Sequence, residues 1–328
     1  MGKVFSSESE SEHDSHSPVQ SYEPPAPPPA PPCPFTSTPW RTTPAWSEDS
    51  ESSLRKQIEK IHPKWNRENV EETNPEKKQK RKKPTIVLVG PVGAGKSSFV
   101  NAILSVSKGH KVDRALTERG SKSCTTTYDK YTDKSLLDRF RLRDCMGLEQ
   151  SEEEGFNVAD MVALLEGHVK DGYTFNPRSP ISPEHNKWRA NPEFEHQTHC
   201  VVFVVDANVM HIGIPPAYVR KIREIQDAVK RLRVPRVLIL TKADVLCKEV
   251  HNDIANMFRS VKVREAVKTA SEVFNIPEAS IHPVTNYEDE DSIEISWKRN
   301  IPLLLALRQI TQYANDMIEA VNEHSDSD

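Results

Sequence analysis

Two apolar patterns alternate along the chain after residue 84. Uninterrupted apolar runs at 85–90, 200–208 and 236–244 have the length of strands that are buried on both faces of a parallel sheet. Longer stretches with apolar residues at helical spacing lie between them, and 217–232 is the clearest. Because strands alternate with helices, the pattern predicts an α/β fold with a mostly parallel central sheet flanked by helices.

Weaker periodic segments complete the predicted architecture. In chain order these are a helix at 96–106, strands at 125–132 and 136–144, a helix at 158–169, helical stretches near 252–274, a strand at 280–287 and one or two closing helices over 294–323. We take 84–328 as one folded domain, which is long enough to bury a substantial core.

The first 83 residues differ in composition from this domain. An acidic, serine-rich tract at 6–17 and a proline-rich run at 24–34 are typical of solvated chain or of a polyproline II rod. A short helical patch at 52–61 and a basic run at 77–83 follow. We therefore predict that 1–83 is a disordered acidic and proline-rich tail that ends in a basic linker.

Three features of this tail each allow a second interpretation. Gly2 and Ser6 fit the N-myristoylation pattern, although glycine after the first methionine is also common by chance. The basic run is a solvated linker, a nuclear signal or a second membrane contact. The proline-rich run is a spacer or a ligand for an SH3-type groove. We expect membrane association only if Gly2 is acylated, and then weakly.

Composition excludes several classes of protein. The chain is 36% hydrophobic and 28% charged, which is ordinary for a soluble protein, and its net charge of -4 gives no reason to expect nucleic-acid binding. The five cysteines share no metal-ligand spacing, so we expect reduced thiols and a cytoplasmic protein. We expect no secretory signal, because the first residues are acidic and serine-rich, and no spanning helix, because no apolar run reaches about 18 residues.

The run GPVGAGKS at 90–97 ends the first predicted strand and opens a helix. Its glycines allow backbone N–H groups to surround phosphate oxygens, and the helix N-terminus adds positive partial charge. We expect Lys96 to reach the β- and γ-phosphates and Ser97 to bind Mg²⁺. The phosphate-binding residues that this P-loop motif predicts are Gly90, Gly93, Ala94, Gly95, Lys96, Ser97 and Ser98.

A D-x-x-G motif, Asp144 to Gly147, ends the strand predicted at 136–144. A carboxylate at this place can hold Mg²⁺ through water, while the amide of Gly147 can contact the γ-phosphate. The motif is short and common. It supports a nucleoside triphosphate site without identifying the base.

The run Thr241-Lys242-Ala-Asp244 indicates guanine, since it fits the [N/T]-K-x-D pattern and follows an apolar strand. The Asp244 carboxylate can accept hydrogen bonds from guanine N1 and N2, a donor pair that adenine lacks, and the stem of Lys242 can cover the base. All three motifs end strands, where open α/β sheets bind ligands. We therefore predict GTP and GDP, with Mg²⁺, as the ligands.

Two further elements are predicted from their positions. One of the threonines at 125–127 is expected to close over Mg²⁺ and the γ-phosphate; we favour Thr125, although threonine also simply favours strands. The loop after the sixth strand is expected to back the base through Thr285 and Asn286. The predicted Mg²⁺ ligands are Ser97, Thr125 and Asp144, and the groups expected to act on the γ-phosphate are Lys96, Ser97, Thr125 and Gly147.

Five segments carry a family resemblance: VLVGPVGAGKSSF, RDCMGLE, YTFNPRSPISPEH, HCVVFVVDAN and LILTKAD. With them the chain resembles the interferon-induced protein 44 family over residues 84–315. The resemblance implies a cytoplasmic, P-loop GTPase-like protein that binds GTP, is made during the interferon response and is linked to antiviral defence. It implies as nucleotide ligands Lys96, Ser97, Asp144, Thr241, Lys242 and Asp244, with Thr125 at the family's switch position. Some relatives carry another folded domain where this chain has its tail.

Leu148 follows the D-x-x-G motif, where fast small GTPases have a glutamine that orients the attacking water. Leucine cannot hydrogen-bond a water. We therefore expect slow GTP hydrolysis, or hydrolysis stimulated by a protein partner or by a second copy of the chain. The alternative is a non-hydrolysing scaffold that GTP stabilises.

A long insert at 150–199 follows Gly147. Because long irregular segments inside domains are commonly functional, we expect the switch region and this insert to report the nucleotide state to a partner. Zinc is disfavoured, since the candidate ligands fit no standard spacing; they are His185, His196, His199 and Cys200.

Overall fold

Six strands form one sheet in the order β2-β3-β1-β4-β5-β6. Their bounds are β1 Thr85–Val89, β2 Asp129–Tyr131, β3 Arg141–Asp144, β4 Cys200–Asp206, β5 Arg236–Thr241 and β6 Ile281–Pro283. Every adjacent pair is parallel except β2 and β3, which are antiparallel. The predicted α/β fold with a mostly parallel sheet is therefore confirmed, although several strands are shorter than their apolar runs.

This computed structural model describes residues 34–65, 82–115, 127–149, 155–287 and 294–325. Its helices are α1 Glu48–Glu59, α2 Lys96–Lys108, α3 Val158–Glu166, α4 Ala207–Ile212, α5 Pro216–Arg231, α6 Ala243–Leu246, α7 Lys248–Asn252, α8 Val261–Phe274 and α9 Trp297–Ser325. None of the helices in these ranges combines the length and the apolar character that crossing a membrane requires.

The two faces of the sheet pack into two apolar cores, because side chains alternate along each strand. Val87 and Val89 of β1 lie in one core, and Ile86 and Leu88 lie in the other. Helices α3, α5 and α8 cover the first core through Leu164, Ile225 and Val267. Helices α1, α2 and α9 cover the second through Leu54, Phe99 and Leu307.

Part of the predicted disordered tail is packed. Leu54 and Ile58 of α1 are four residues apart, so they share one face of the helix, and both are buried in the second core. Upstream of α1, Trp40 and Trp46 lie against the ring of Phe258. The prediction of disorder is corrected for 34–65, because apolar anchors hold this segment on the domain. The features at 1–33, including Gly2, and at 66–81 lie outside the described residues.

The described part of the insert, 155–199, packs on the domain with little regular structure after α3. The Asp160 carboxylate of α3 is fully buried and accepts hydrogen bonds from the Ile181 amide at 2.8 Å and the Tyr173 hydroxyl at 3.3 Å. Burial raises the pKa of Asp160 to about 6. The ring of Phe175 contacts the rings of Tyr128 and Phe156 edge-on. Beyond α3, side-chain anchors and single backbone hydrogen bonds, such as that from the Tyr128 amide to the Tyr173 carbonyl, therefore hold the insert.

Candidate nucleotide-binding site

The P-loop joins β1 to α2 and needs glycine for two different reasons. Gly95, immediately before α2, has φ of 84°, a left-handed conformation that residues with a Cβ rarely adopt. At Gly90 a Cβ would lie 2.0 Å from the carbonyl oxygen of Val204, so only glycine lets β1 and β4 approach so closely. The first turn of α2 therefore directs its backbone N–H groups and positive dipole end toward this loop.

Lys96 is folded back over the loop. Its Nζ donates hydrogen bonds to the carbonyl oxygens of Gly90 at 3.0 Å and Pro91 at 2.9 Å, and the residue is 7% exposed. Burial lowers the pKa of Lys96, while the negative charge of Asp144 opposes that shift. The loop thus holds one ammonium group against its own carbonyls, in reach of any phosphate that enters it.

Ser97 and Asp144, which are both predicted to bind Mg²⁺, lie within hydrogen-bond distance of each other. The Ser97 hydroxyl donates to Asp144 Oδ2 at 2.5 Å, and Asp144 is fully buried at the end of β3. The two residues come together because β3 is the parallel neighbour of β1, with Asp144 paired to Leu88. A hydroxyl and a carboxylate oxygen are ligands that Mg²⁺ accepts, so the donor set fits this ion. The third predicted ligand, Thr125, lies outside the described residues.

The D-x-x-G segment lies directly along the P-loop. The amide of Val92 donates to the carbonyl of Leu148, and the amide of Leu148 donates to the carbonyl of Gly90, each at 3.0 Å. A Cβ on Gly147 would lie 2.5 Å from a methyl carbon of Val92, so this position has no room for a side chain. Leu148 is fully buried in the first core. Sequence reasoning noted what Leu148 lacks but missed this anchoring role.

The guanine motif and the loop after β6 together bond three consecutive carbonyl groups of the P-loop. Lys242 Nζ donates to the carbonyl of Gly93 at 2.9 Å, and Thr241 Oγ1 donates to that of Ala94 at 2.6 Å. Asn286 Nδ2, from the loop after β6, lies 3.4 Å from the carbonyl oxygen of Gly95. Thr241 lies at the end of β5, so the ends of two neighbouring strands reach the same loop.

Asp206 is a site residue that sequence reasoning missed. Its carboxylate lies 3.0 Å from Lys242 Nζ and therefore helps to hold that lysine over the P-loop. Asp206 ends β4, next to β1 in the sheet, and caps α4 by accepting from the amide of Asn208. A polar residue at the carboxyl end of a central strand was the available signal.

Three side chains that the sequence predicts to face the base have oxygen atoms without a hydrogen-bond partner among the described residues. Thr285 Oγ1 and Asn286 Oδ1 are buried and have no hydrogen-bond partner in the described part of the chain. Asp244, half-buried in α6, likewise accepts no hydrogen bond from any described residue. An unpaired buried polar group costs about 1–3 kcal/mol, so a ligand with both donors and acceptors fits here. Guanine offers both kinds of group on one edge.

The four candidate zinc ligands do not converge among the described residues. His199 is buried and its Nδ1 accepts from the Thr85 amide, while Cys200 is buried in β4. In the described ranges, a group of side chains close enough to share a metal ion consists of Glu193, Glu195 and His196. These residues form a short turn in which the Glu193 amide donates to His196 Nδ1.

Residues 85–242 match a protein-family model described as "50S ribosome-binding GTPase". The strand order, the P-loop and the guanine motif that packs on it agree with that match. Fold and site therefore define a P-loop GTPase domain.

Curated relatives place the chain more narrowly. It is 33% identical over 240 residues to human "Interferon-induced protein 44-like", covering 71% of this chain and 52% of that protein. It is 31% identical over 240 residues to mouse "Interferon-induced protein 44", covering 71% of this chain and 55% of that protein. Over this matched part the chain belongs to the interferon-induced protein 44 family. It spans about half the length of these relatives.

Among solved structures, the crystal structure of a probable GTP-binding protein engB aligns with a TM-score of 0.33 and 13% identity. The alignment covers 61% of this chain and 88% of that one.

Proposed function

We propose that this chain binds GTP and GDP with Mg²⁺ and hydrolyses GTP slowly unless a partner stimulates it. The observation that carries the proposal is the bonding of the guanine motif to the carbonyls of Gly93 and Ala94, with Asn286 of the loop after β6 at the carbonyl of Gly95. Those bonds hold the loops proposed to bind the base next to the P-loop, which is proposed to bind the phosphates. One nucleotide can therefore span both.

The guanine base is favoured by the unpaired groups around Asp244. The Asp244 carboxylate accepts from guanine N1 and N2, and we expect the buried Thr285 and Asn286 oxygens to gain partners when the base binds. Adenine has no N–H donor at N1 and no amino group at C2, so it would leave the carboxylate unpaired, which selects strongly against ATP.

Mg²⁺ is expected between Ser97 and Asp144, where it would neutralise charge on the phosphate groups. Lys96 adds a second positive charge at the other side of the loop. To make these contacts, Lys96 and Ser97 exchange their present bonds to Gly90, Pro91 and Asp144 for bonds to the ligand. Thr125 and Gly147 complete the proposed γ-phosphate contacts.

Slow hydrolysis follows from the position of Leu148. Its side chain lies in the core and its backbone is bonded to the P-loop, so nothing at this position orients a water. A protein partner or a second copy of the chain would have to supply that group. We propose that it binds through the switch region around Thr125 and the insert at 150–199.

The same observation favours the second candidate, a scaffold that GTP stabilises without turnover. The two hydrogen bonds between Leu148 and the P-loop make the D-x-x-G segment part of the folded core. In this case the nucleotide would be a structural ligand whose binding raises the stability of the domain.

The printed names of the relatives support a role in the interferon response. On that basis we propose a cytoplasmic protein of innate antiviral defence, with membrane contact only if Gly2 is acylated. Because the chain spans about half of those relatives, this role does not extend to activities of their other parts.

Fluorescent GTP, GDP and ATP titrated into the full chain with Mg²⁺, followed by phosphate release at several protein concentrations, test both candidates. We expect GTP and GDP to bind at least a hundredfold more tightly than ATP. Release per molecule that rises with protein concentration would support the self-stimulated enzyme, whereas negligible release at every concentration would support the scaffold. ATP binding in place of GTP would refute both.

A further inference from the structure

Tyr287 anchors the end of the guanine-side loop. It directly follows Thr285 and Asn286, and its hydroxyl donates to Asn300 Oδ1 at 2.7 Å while accepting from the Ser296 amide at 2.9 Å. Burial raises the pKa of Tyr287 to about 12, so the hydroxyl keeps its proton at neutral pH. The loop therefore ends in a bond to the first turns of α9.

The other end of the loop is fixed to β5. The Val284 amide donates to the Leu240 carbonyl at 2.8 Å, and the Val284 carbonyl accepts from the Ala243 amide at 3.3 Å. Thr285 and Asn286 thus lie between two attachment points, one on the sheet and one on α9. Movement at Tyr287 would displace the residues that face the base.

Asn300 connects Tyr287 to helix α1 in the N-terminal segment. Asn300 is 2% exposed, and its Nδ2 donates to Glu51 Oε1 of α1 at 3.1 Å. The same Glu51 oxygen accepts from Arg55 Nε at 2.5 Å, which orients the carboxylate. Helix α1 itself is held in place by the buried Leu54 and Ile58. Three side chains therefore connect α1, α9 and the guanine-side loop.

We propose that Glu51, Asn300 and Tyr287 form a positioning relay through which α1 sets the affinity of the site for guanine. This inference rests on the proposed GTP binding and adds to it a part of the chain outside the GTPase-domain match at 85–242. The relay touches no ligand atom. It acts through the placement of Thr285 and Asn286, and none of its hydrogen bonds involves Lys96 or Ser97.

The test compares GDP with ADP in the full chain, by competition against fluorescent GDP with Mg²⁺. In Tyr287→Phe the ring stays and both hydroxyl bonds are lost, so we expect the Kd for GDP to rise about tenfold while the Kd for ADP stays constant. Glu51→Ala should raise the Kd for GDP about threefold, and Glu51→Gln, which keeps an acceptor oxygen for Asn300, should restore it.

Gln57→Ala is the matched control. Gln57 bonds Arg308 at 2.7 Å between the same two helices but does not reach the loop, so both affinities should stay at the wild-type value. Glu51→Ala provides a second test if Tyr287→Phe fails to fold, as judged by its thermal transition.

Three results would overturn the relay. An unchanged Kd for GDP in folded Tyr287→Phe and Glu51→Ala would refute it while leaving GTP binding intact. Equal weakening of GDP and ADP would reduce these residues to a purely structural role. Failure of the wild-type chain to bind any guanine nucleotide would remove the proposed function and the relay together.

Discussion

The site has a phosphate half around Lys96 and Ser97 and a guanine half around Thr285 and Asn286. The two halves differ in whether their polar groups already have hydrogen-bond partners when no ligand is bound. In the phosphate half, Lys96 and Ser97 already make hydrogen bonds to groups of the same chain. In the guanine half, Thr285 and Asn286 each bury an oxygen that no described residue bonds. A nucleotide must replace existing bonds in the first half but creates new ones in the second.

This difference suggests how each half contributes to binding. Exchanging one hydrogen bond for another gains little free energy, whereas pairing an orphaned buried group recovers its desolvation cost. We therefore expect the guanine half to supply most of the net affinity. The phosphate half supplies charge, the Mg²⁺ position and the response to the γ-phosphate.

The largest effect should come from Asp244→Asn. It removes the acceptor for two guanine donors, so the affinity for GDP should fall about a thousandfold. Xanthosine diphosphate, which has a carbonyl where guanine has its amino group, should bind this variant better than GDP. Competition titrations measure both, and Asp227→Asn on the exposed face of α5 is the control. Unchanged GDP affinity would show that Asp244 does not contact the base.

Lys96→Ala should have the next largest effect. It removes a buried charge that no neighbour replaces, and we expect the affinity for GDP to fall about a hundredfold. Lys108→Ala, at the exposed last residue of α2, should bind normally. If Lys96→Ala lost more affinity than Asp244→Asn, the comparison between the two halves would be reversed.

Ser97→Ala should weaken Mg²⁺-dependent binding about tenfold, since it removes one oxygen ligand and leaves Asp144 in place. The readout is the ratio of GTP affinities with Mg²⁺ and with EDTA, which should fall toward one. A ratio equal to that of the wild type would show that Ser97 is not a metal ligand.

The smallest effect on activity is expected for Leu148→Gln. Because the side chain lies in the core, the amide would be buried there, and the free energy of unfolding should drop by about 2 kcal/mol. Phosphate release should stay within about twofold of the wild type. A tenfold faster release without loss of thermal stability would mean that this side chain faces the phosphates.

Features that depend only on residues adjacent in the sequence could be predicted from it. β1, the P-loop and α2 follow from a local apolar run and from glycine chemistry, and Lys96 and Ser97 begin α2 directly after the loop. Their contacts to phosphate and Mg²⁺ stay predictions. The packing of α1 was missed because its partner, α9, begins at Trp297, far along the chain. The same holds for Leu148, which is buried in a core completed by residues far along the chain. Thr125 stays a prediction.

Titration of the full chain with GDP and with ADP, both with Mg²⁺, tests the central claim most directly. The claim is that the guanine half supplies most of the affinity. We predict that GDP binds at least a hundredfold more tightly than ADP. Equal affinities would mean that the phosphates alone hold the nucleotide and that Asp244, Thr285 and Asn286 do not read the base.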